Sequence, residues 1–493
     1  MERELKLGIL SPDAWEEILH HPHLQINPDT PHPMHAIYYD NPEGSLRAAG
    51  IAWRVRLEGE QWVAAIKQSG SVEGGLHQRP EWNVPVDGPE PDFSVFAHTE
   101  IWPKIEHFAG IAPQPLLETE FLRWEKSLRL EDSCTTVLVS LDKGSIRAGG
   151  RTEPILEVEL ELQEGSLAAL LHLGSELCAV LPLCPESGSK FARGLRLSGL
   201  CTESSSSFPE SGPGFRLRPR QEAGSALVDL LVAKAQEVLL SLAGVPEHPD
   251  RETFHELRKE VRSLRALLRL TRELDPNGHL QLARRELADW FHSQGERRER
   301  GALAQYWSVL ALETGVSPEP LLAALESADQ VKQDLHGDFR ARLAAGLLRL
   351  WASLLEHPLE DGSRSLRDYV EERLTDIDHG LVPAVPAEEM AFHRLRISLK
   401  NWRYVLLALS ELWPRKDAKA LLKCLSALQE SSGVIRDAQR ASYHLEPFAG
   451  GNDGRLAYQA GMLAGFLEAR RRRESRKFPR HWERLQNTPR PWE

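Results

Sequence analysis

Short segments in which apolar and polar residues alternate dominate the first 200 residues. Side chains of a strand point to opposite faces at every second position, so this period predicts β-strands with one apolar and one polar face. The sequences EGEQ at 58–61 and DKGS at 142–145 are typical of hairpin turns, which favours an antiparallel sheet or barrel. The predicted strands are residues 2–7, 51–57, 61–67, 135–144 and 154–162.

A segment rich in Ser, Pro and Gly, residues 201–225, separates this region from a second one with a different period. Beyond it, apolar residues recur at spacings of three and four, which predicts amphipathic helices packed as a bundle. The chain is therefore predicted to be of the α+β class. Its predicted parts are a β domain with flanking helices at 1–200, a linker at 201–222, an all-α helical-bundle domain at 223–480 and a C-terminal tail at 481–493.

Two helical segments of the second region resemble each other. Both residues 254–265 and residues 392–403 begin with F-H-x-L-R and continue with basic residues at matching positions, which we interpret as an internal duplication. The helical period places each basic set on one stripe, and two such stripes brought together would form a positive groove for a polyanion. A solvated helix face with acidic partners is the alternative for either stripe alone. The stripes are His255, Arg258, Lys259, Arg262 and Arg265 in the first segment, and His393, Arg396, Lys400 and Arg403 in the second.

The polar faces of the predicted strands carry charges of both signs. Glu157, Glu159 and Glu161 share one face, where like charges about 6 to 7 Å apart repel unless a cation offsets them. Hard divalent cations such as Mg²⁺ prefer carboxylate oxygens. An exposed amphipathic strand explains any single face of this kind, but carboxylates together with phosphate-binding cations are the equipment of a phosphoryl-transfer site. The cations on the other predicted strands are Lys6, Arg54, Arg56 and Lys67.

Composition narrows the class of protein. The 493 residues are 41% hydrophobic and 27% charged, which is typical of globular domains, and no apolar run approaches the roughly 20 residues of a membrane span. The charged first residues do not form a secretory signal, and five cysteines without a CxxC pair argue against a disulfide framework, so we expect a cytoplasmic protein. Residues 1–200 hold 17 Lys and Arg against 30 Asp and Glu, whereas the remainder holds 43 against 42. That balance argues against generic nucleic-acid binding, and the P-loop, Rossmann and GxSxG motifs are absent from the sequence.

At the level of ordered motifs, residues 1–200 resemble the CYTH family of triphosphate tunnel metalloenzymes. The opening E-R-E-L-K is similar to that family's ExExK signature, and the later blocks follow in the family's order. These blocks are YYDNP (38–42), LRAAGIAWRVR (46–56), AIK (65–67), RPE (79–81), FLR (121–123), LDKG (141–144), ILEVELEL (155–162) and SKFARG (189–194).

This resemblance implies an eight-stranded antiparallel tunnel that binds a triphosphate and two metal ions, Mg²⁺ or Mn²⁺. It implies metal-side carboxylates at Glu2, Glu4, Glu157 and Glu159, with Asp142 as a helper for metal or water. It implies phosphate-binding cations at Lys6, Arg54, Arg56, Lys67, Arg123 and Lys190, with Arg79 and Glu81 on the wall. We expect Glu159, Lys67, Arg54 and Arg56 to act in catalysis; which of Glu157, Glu159 and Glu161 bind metal stays open.

The two F-H-x-L-R segments, together with GVIRDAQ at 433–439, resemble the CHAD domain over residues 223–480. That resemblance implies binding of long-chain polyphosphate by the basic groove. We therefore expect a metal-dependent inorganic triphosphatase that hydrolyses tripolyphosphate and carries a polyphosphate-binding helical domain. Two alternatives stay open: a hydrolase or cyclase acting on an organic triphosphate such as thiamine triphosphate or ATP, and a non-catalytic polyphosphate-binding scaffold.

Overall fold

The computed structural model describes residues 2–110, 112–130, 134–200, 217–246, 249–330, 338–359, 364–384, 387–449 and 453–493. Residues 201–216, which form most of the predicted linker, lie outside this described part. The Cα positions divide the chain into two compact units. The tunnel unit comprises the described residues of 1–214, 233–248 and 340–356, and the helical unit comprises those of 215–232, 249–339 and 357–493.

Eleven antiparallel strands of one sheet build the tunnel unit. The strands are β1 (Glu2–Ile9), β2 (His32–Asp40), β3 (Ile51–Glu58), β4 (Gln61–Gln68), β5 (Ser71–Glu73), β6 (Leu76–Arg79), β7 (Glu81–Val86), β8 (Gln114–Leu130), β9 (Thr135–Ala148), β10 (Arg151–Glu164) and β11 (Leu183–Pro185). Their order is β5-β6-β1-β10-β9-β8-β2-β3-β4-β7, with β11 added beside β1. The predicted antiparallel β architecture is confirmed.

Pro80 lies where the sheet closes on itself. β6 pairs with β1 and β7 pairs with β4, and only Pro80 separates these two short strands in the chain. Proline has no backbone N–H for a ladder, so it interrupts the strand while its carbonyl still accepts from Gln68 N at 3.1 Å. Counted around the ring, β6 and β7 form one interrupted strand, and the ring has eight members.

Alternation along the strands places apolar side chains outside the ring and charged ones inside. On β1 and β10, Leu5, Leu7, Val158 and Leu160 are fully buried on the outer face. The outer face of β3 and β4 packs against a short segment that follows β7, and the contacting cluster includes Trp53, Ile66, Phe93, Phe96, Ile101 and Ile105. Much of the core therefore lies around the ring, and a second apolar cluster, which includes Met34, Tyr38, Phe121 and Phe191, borders the charged interior.

The predicted turn at 142–145 is wrong, because these residues lie in the middle of β9. Gly144 is required there by a close strand approach. A Cβ at this position would lie 2.2 Å from the carbonyl oxygen of Glu120 on β8. As a result, Asp142 is an interior residue of a long strand, fully buried.

Helices fill the remainder of the described chain. Those before residue 200 are α1 (Trp15–Leu19), α2 (Ser45–Ala48), α3 (Trp102–Ile105), α4 (Leu167–Val180) and α5 (Lys190–Leu197). Those that follow are α6 (Ala223–Ala243), α7 (Arg251–Leu270), α8 (Gln281–Ser293), α9 (Gly295–Thr314), α10 (Leu321–Gln330), α11 (Phe339–Glu356), α12 (Leu366–His379), α13 (Glu389–Ala408), α14 (Arg415–Ala449) and α15 (Gly454–Gln486).

Local sequence explains several helix starts. Ser189 accepts a hydrogen bond from Ala192 N and caps α5, while Asp250 accepts from Thr253 N and caps α7. The α15 helix, capped by Asp453, continues into the segment assigned to a tail and ends at Gln486. No described helix has both the length and the apolar character needed to cross a membrane.

Candidate active site

The ring encloses a cavity of about 470 Å³ whose lining is mostly charged. All six cations predicted to bind phosphate line it together with Arg79 of the predicted wall, as do the predicted carboxylates Glu2, Glu4 and Glu159. Glu157 and Asp142 do not border this cavity; they lie behind its wall, almost fully buried. The seven cations are Lys6, Arg54, Arg56, Lys67, Arg79, Arg123 and Lys190.

Strand register brings several of the inner charges into opposite-sign pairs, although Glu4 lies opposite Glu161. Lys6 on β1 lies opposite Glu159 on β10, and Asp142 on β9 lies opposite Arg123 on β8. Around the ring, Lys67 on β4 lies opposite Glu81 on β7. Because neighbouring strands place paired residues on the same face, the sequence alternation is enough to assemble this charged lining.

An inner cluster of carboxylates forms the most buried part of the site. Oxygens of Asp142, Glu157 and Glu159 lie within 4.8 Å of one another, as ligands of one cation would. Here they are held by ammonium groups. Lys190 Nζ lies 2.6 Å from Asp142 and 2.8 Å from Glu159, and it also contacts Glu157. Lys6 Nζ lies 2.6 Å from Glu159 and 3.2 Å from Glu157.

The cations decide the protonation state of this cluster. Burial opposes ionisation of Glu159, but Lys190, Lys6 and Arg123 outweigh it and hold its pKa well below the usual range. Burial likewise opposes the charge of Lys6, yet Glu157 and Glu159 raise its pKa well above the ordinary value. Glu159 and Lys6 therefore stabilise each other in their charged forms.

An outer cluster, less buried than the inner one, contains the other pairs. Lys67 Nζ lies 2.9 Å from both Glu2 and Glu81, and Arg54 lies 3.2 Å from Glu81. Burial opposes ionisation of Glu81, but Lys67 and Arg54 hold its pKa at about 2. Burial, reinforced by the charges of Glu81 and Glu4 against the opposing effect of Lys67, raises the pKa of Glu2 to about 7.

Three carboxylates that face the cavity, those of Glu2, Glu4 and Glu161, have too little positive charge near them to offset their burial. Burial and the charge of Glu159 raise the pKa of Glu4, and burial and the charge of Glu4 raise that of Glu161. Within the described residues, Glu4 Oε1 is buried without a hydrogen-bond donor, and the Lys6 ammonium is 3.6 Å away. Such oxygens fit a hard divalent cation, so the residues present suit a metal on the side of Glu2, Glu4 and Glu161, next to the ionised Glu159.

Among the arginines of the cavity lining, Arg56 on β3 is short of negative charge, whereas Arg123 on β8 is well paired. Burial and the neighbouring Arg54 lower the pKa of Arg56 to about 10, although Glu58 forms an ion pair with it. Burial opposes the charge of Arg123, but Asp142 and Glu159 raise its pKa. Forked guanidinium groups aimed into one cavity are suited to phosphate oxygens.

Several lining residues had no role assigned from the sequence. Tyr38 accepts a hydrogen bond from Arg54 at 3.1 Å through its hydroxyl and stacks on Phe191. His77 lies opposite Glu4 and donates from Nε2 to the carbonyl of Glu186 at 3.0 Å. Burial, then Lys6 and Arg79, lower its pKa well below the usual value, so the imidazole is neutral. The alternation of inward and outward side chains along β2 and β6 is the signal that could have identified Tyr38 and His77.

The two basic stripes lie on helices of the helical unit that pack against each other, α7 and α13. Arg262 Nη1 lies 3.4 Å from the Tyr404 hydroxyl, which links the two helices. The guanidinium carbons of Arg258, Arg262 and Arg265 lie 4.2 to 5.0 Å from the centroid of the Phe291 ring on α8. These arginines thus cluster through an aromatic ring, a favourable cation–π arrangement.

The two segments share a burial pattern as well as a sequence pattern. Arg258 and Arg396 are 4% and 6% exposed, and the Phe at the start of each segment is also buried. His255 is exposed and His393 is half-buried, with burial, Arg436 and Arg396 lowering the pKa of His393. Lys259 pairs with Glu256 at 2.7 Å, the kind of acidic partner expected for a solvated helix face. Arg403 donates to Ser426 at 3.0 Å, and Lys400 is half-buried.

Burial, together with the neighbouring charges of Arg269 and Arg262, lowers the pKa of Arg265 to about 10. Positive charge on α7 is therefore dense enough to be self-repelling. A bound anion would relieve that repulsion.

Comparison with protein families agrees with this architecture. Residues 1–195 match the family model of the CYTH domain, and residues 230–446 match that of the CHAD domain. Residues 1–195 therefore form a CYTH domain and residues 230–446 a CHAD domain, and both resemblances seen in the sequence are confirmed.

A curated relative matches part of the chain. Over 160 residues the chain is 31% identical to the inorganic triphosphatase of Haemophilus influenzae. The aligned segment covers 32% of this chain and 44% of that protein. The chain thus spans less than half the length of this relative. Solved structures are more distant. A Hippeastrum protein described as a putative adenylyl cyclase with a dominant triphosphatase activity is 22% identical, covering 40% of this chain and 96% of its own, with a TM-score of 0.32. The CHAD domain from the plant Ricinus communis is 21% identical, covering 57% and 96%, with a TM-score of 0.43.

Proposed function

We propose that the tunnel unit is a metal-dependent inorganic triphosphatase that hydrolyses tripolyphosphate to pyrophosphate and phosphate. The observation that carries the proposal is the closed ring whose cavity presents seven cations together with carboxylates that lack sufficient positive charge. The relationship to the Haemophilus influenzae inorganic triphosphatase supports the same assignment. A cavity of about 470 Å³ accommodates a short, highly charged polyanion.

In this proposal the cations bind and orient the substrate. Arg54, Arg56 and Arg123 offer forked donors to non-bridging oxygens, and Lys6, Lys67 and Lys190 supply point charges. Their charges would neutralise the oxygens of the phosphorus under attack, where negative charge is redistributed in the transition state. Binding the chain on several cations at once also fixes the reacting phosphorus in position.

The metal-side residues would be Glu2, Glu4 and Glu159, with Glu161 as a further ligand. Either Mg²⁺ or Mn²⁺ suits oxygen ligands, and when bound it would supply Lewis-acid stabilisation of phosphoryl oxygens. In the structure Asp142 and Glu157 hold the ammonium groups of Lys6 and Lys190, which suggests that they orient these cations from behind. Glu159, kept ionised by its neighbours, can accept a hydrogen bond from the attacking water, whose oxygen forms the new P–O bond while the bridging oxygen leaves.

The test is phosphate release from tripolyphosphate by the full chain, with thiamine triphosphate, ATP and long-chain polyphosphate in parallel. Each substrate is assayed with Mg²⁺, with Mn²⁺ and with EDTA. We expect metal-dependent turnover with the highest kcat/KM on tripolyphosphate. Turnover restricted to an organic triphosphate would replace the proposal with the organic-substrate alternative. Tight polyphosphate binding without any turnover would identify a scaffold.

For the helical unit we propose binding of long-chain polyphosphate by the stripes on α7 and α13. The self-repelling arginines of α7 and their stacking on Phe291 support an anion at this surface. Because Arg258 and Arg396 are buried, less buried positions make better test sites. We expect Arg265→Glu with Lys400→Glu to weaken polyphosphate binding on the order of tenfold or more and to reduce its salt dependence. Lys423→Glu, an exposed change on α14, is the matched control, and equal affinity in both variants would favour the solvated-face alternative.

A further inference from the structure

A second cavity lies on the other side of the inner cluster. It has a volume of about 280 Å³, and its lining, all within the tunnel unit, includes Gly8, Pro154, Glu157, Glu186, Arg193 and Arg340. None of these residues borders the first cavity. The two cavities are therefore separated by a partition, and Glu157 belongs to it.

The partition is a stack of alternating charges. Lys6 and Lys190 face the first cavity, and both contact Glu157 behind them. Arg193 contacts the far oxygen of Glu157 at 3.1 Å and faces the second cavity. Arg193 is itself fixed, because its Nε donates to Glu153 at 2.7 Å and its Nη2 donates to the Pro154 carbonyl at 2.5 Å.

A plug that served packing alone would be apolar. Small barrels are usually filled by apolar layers, and burying an ion pair costs desolvation energy that an apolar plug avoids. Glu157 is 1% exposed and the Arg193 side chain 11% exposed, so this pair bears that cost. The contacts of the pair explain why: Glu157 holds the two ammonium groups that face the first cavity, and Arg193 balances the charge of Glu157 from the side of the second.

We propose that the Glu157–Arg193 pair is the floor of the tunnel, and that the floor makes the site recognise a free chain end of its phosphate substrate. A terminal phosphate would rest on Lys6 and Lys190, and the remainder of the chain would extend the other way. The floor would then fix which phosphoanhydride bond meets the reactive groups, counted from the terminus. This inference rests on the proposed triphosphatase function and adds how the enzyme selects the phosphoanhydride bond that it cleaves.

The products of tetrapolyphosphate hydrolysis show which phosphoanhydride bond lies at the reactive groups. With one water it gives tripolyphosphate and phosphate by terminal cleavage, or two pyrophosphates by central cleavage. We expect one of these two patterns in the first turnover of the wild-type chain, read by ion chromatography. We expect Arg193→Ala to open the floor, so that the chain can slide deeper and the other pattern increases on the order of tenfold. Arg196→Ala, an exposed arginine on the same helix, is the matched control and should keep the wild-type pattern.

A second measurement needs no variant. Adenosine tetraphosphate has one free phosphate end, whereas diadenosine tetraphosphate has none. As competitors of tripolyphosphate hydrolysis by the wild-type chain, they should differ on the order of tenfold in favour of the free end. Equal inhibition, or an unchanged product pattern in a folded Arg193→Ala variant, would overturn the floor. Absence of tripolyphosphate turnover in the wild type would instead remove the proposed function on which the inference rests.

Discussion

Glu159 is the residue on which most of the site's charges converge. Lys6, Lys190 and Arg123 all contact its carboxylate, which also borders the cavity. A group held by three cations stays ionised and well oriented, which suits it to a metal or to the attacking water. It also moderates the positive potential that attracts the substrate.

Replacing Glu159 by Gln should therefore separate catalysis from binding. We expect kcat for tripolyphosphate to fall on the order of 100-fold or more, because the oriented charge is lost from the transition state. KM should stay the same or fall, because three cations are left with one carboxylate fewer. Steady-state kinetics of phosphate release measure both constants.

Ser140→Ala, a neutral neighbour of Glu159 in the β9–β10 ladder, is the matched control. It should leave both constants within about threefold of wild type, since hydrogen bonds of neutral groups contribute modestly. A Glu159→Gln variant with unchanged kcat would exclude this carboxylate from the mechanism.

Glu2 gives a pH dependence whose sign follows from its raised pKa. Its folded pKa of about 7 lies above the ordinary value of 4.5, so between these values the folded state binds more protons than the unfolded state. Stability from this group is therefore present below pH 4.5 and is lost as pH rises towards 7. A divalent cation bound at Glu2 must displace that proton, and it should stabilise the chain more at pH 8 than at pH 5.5.

The measurement is the difference in Tm between Mn²⁺ and EDTA at the two pH values. We expect the difference to increase with pH in the wild type and to increase less in Glu2→Gln. A metal effect on Tm that is equal at both pH values would contradict the assignment of Glu2 to the metal side.

For single residues, the sequence predicted which side chains line the cavity, but it did not predict how far along the tunnel each one lies. Period-two alternation and family motifs located all seven cations that line the cavity. The same reasoning grouped Glu157 and Glu159 as equals, since they share a strand face. Only the fold shows that Glu157 lies behind Lys6 and Lys190, because depth along a tunnel depends on where neighbouring strands and α5 end.

Among the elements, β8 and β9 illustrate how a short motif can mislead. DKGS has the composition of a turn, yet the close approach of Glu120 to Gly144 makes glycine necessary within a strand. Turn propensity is local, whereas this requirement comes from the partner strand, which the sequence pattern of β9 does not contain.

Gly144→Ala should push β8 away from β9 and disturb the pairing of Arg123 with Asp142. We expect a loss of about 3 kcal/mol in the free energy of unfolding, at the upper end for overpacking, because the new Cβ meets backbone rather than a movable side chain. Urea denaturation of the full chain measures the change.

Gly110→Ala is the control, since a Cβ there meets nothing within 4 Å and the backbone is not left-handed. Equal stability of the two variants would mean that the strands separate easily at this point and that Gly144 is not structurally required.

For the whole molecule, the net charge of a region differs from the charge of the cavity that it forms. Residues 1–200 carry a large acidic excess, and yet their cavity presents seven cations. The same lining contains seven glutamates, so the cavity is balanced in formal charge while the region around it is acidic, and the composition of the region does not predict the charge of the site. Chain order is an equally incomplete guide to the units, because residues 233–248 and 340–356 cluster with the tunnel unit across long separations in sequence.

The central claim is that the cavity inside the ring hydrolyses a triphosphate with the help of a divalent metal. The most direct test is the initial rate of phosphate release from tripolyphosphate, with Mn²⁺ or EDTA, for the wild type and for Arg54→Ala. Arg147→Ala, an arginine whose side chain is 49% exposed, serves as the control. We predict a rate that needs the metal, falls on the order of 100-fold in Arg54→Ala and is retained in the control. A rate that persists in EDTA, or that Arg54→Ala leaves unchanged, would contradict the assignment of the activity to this cavity.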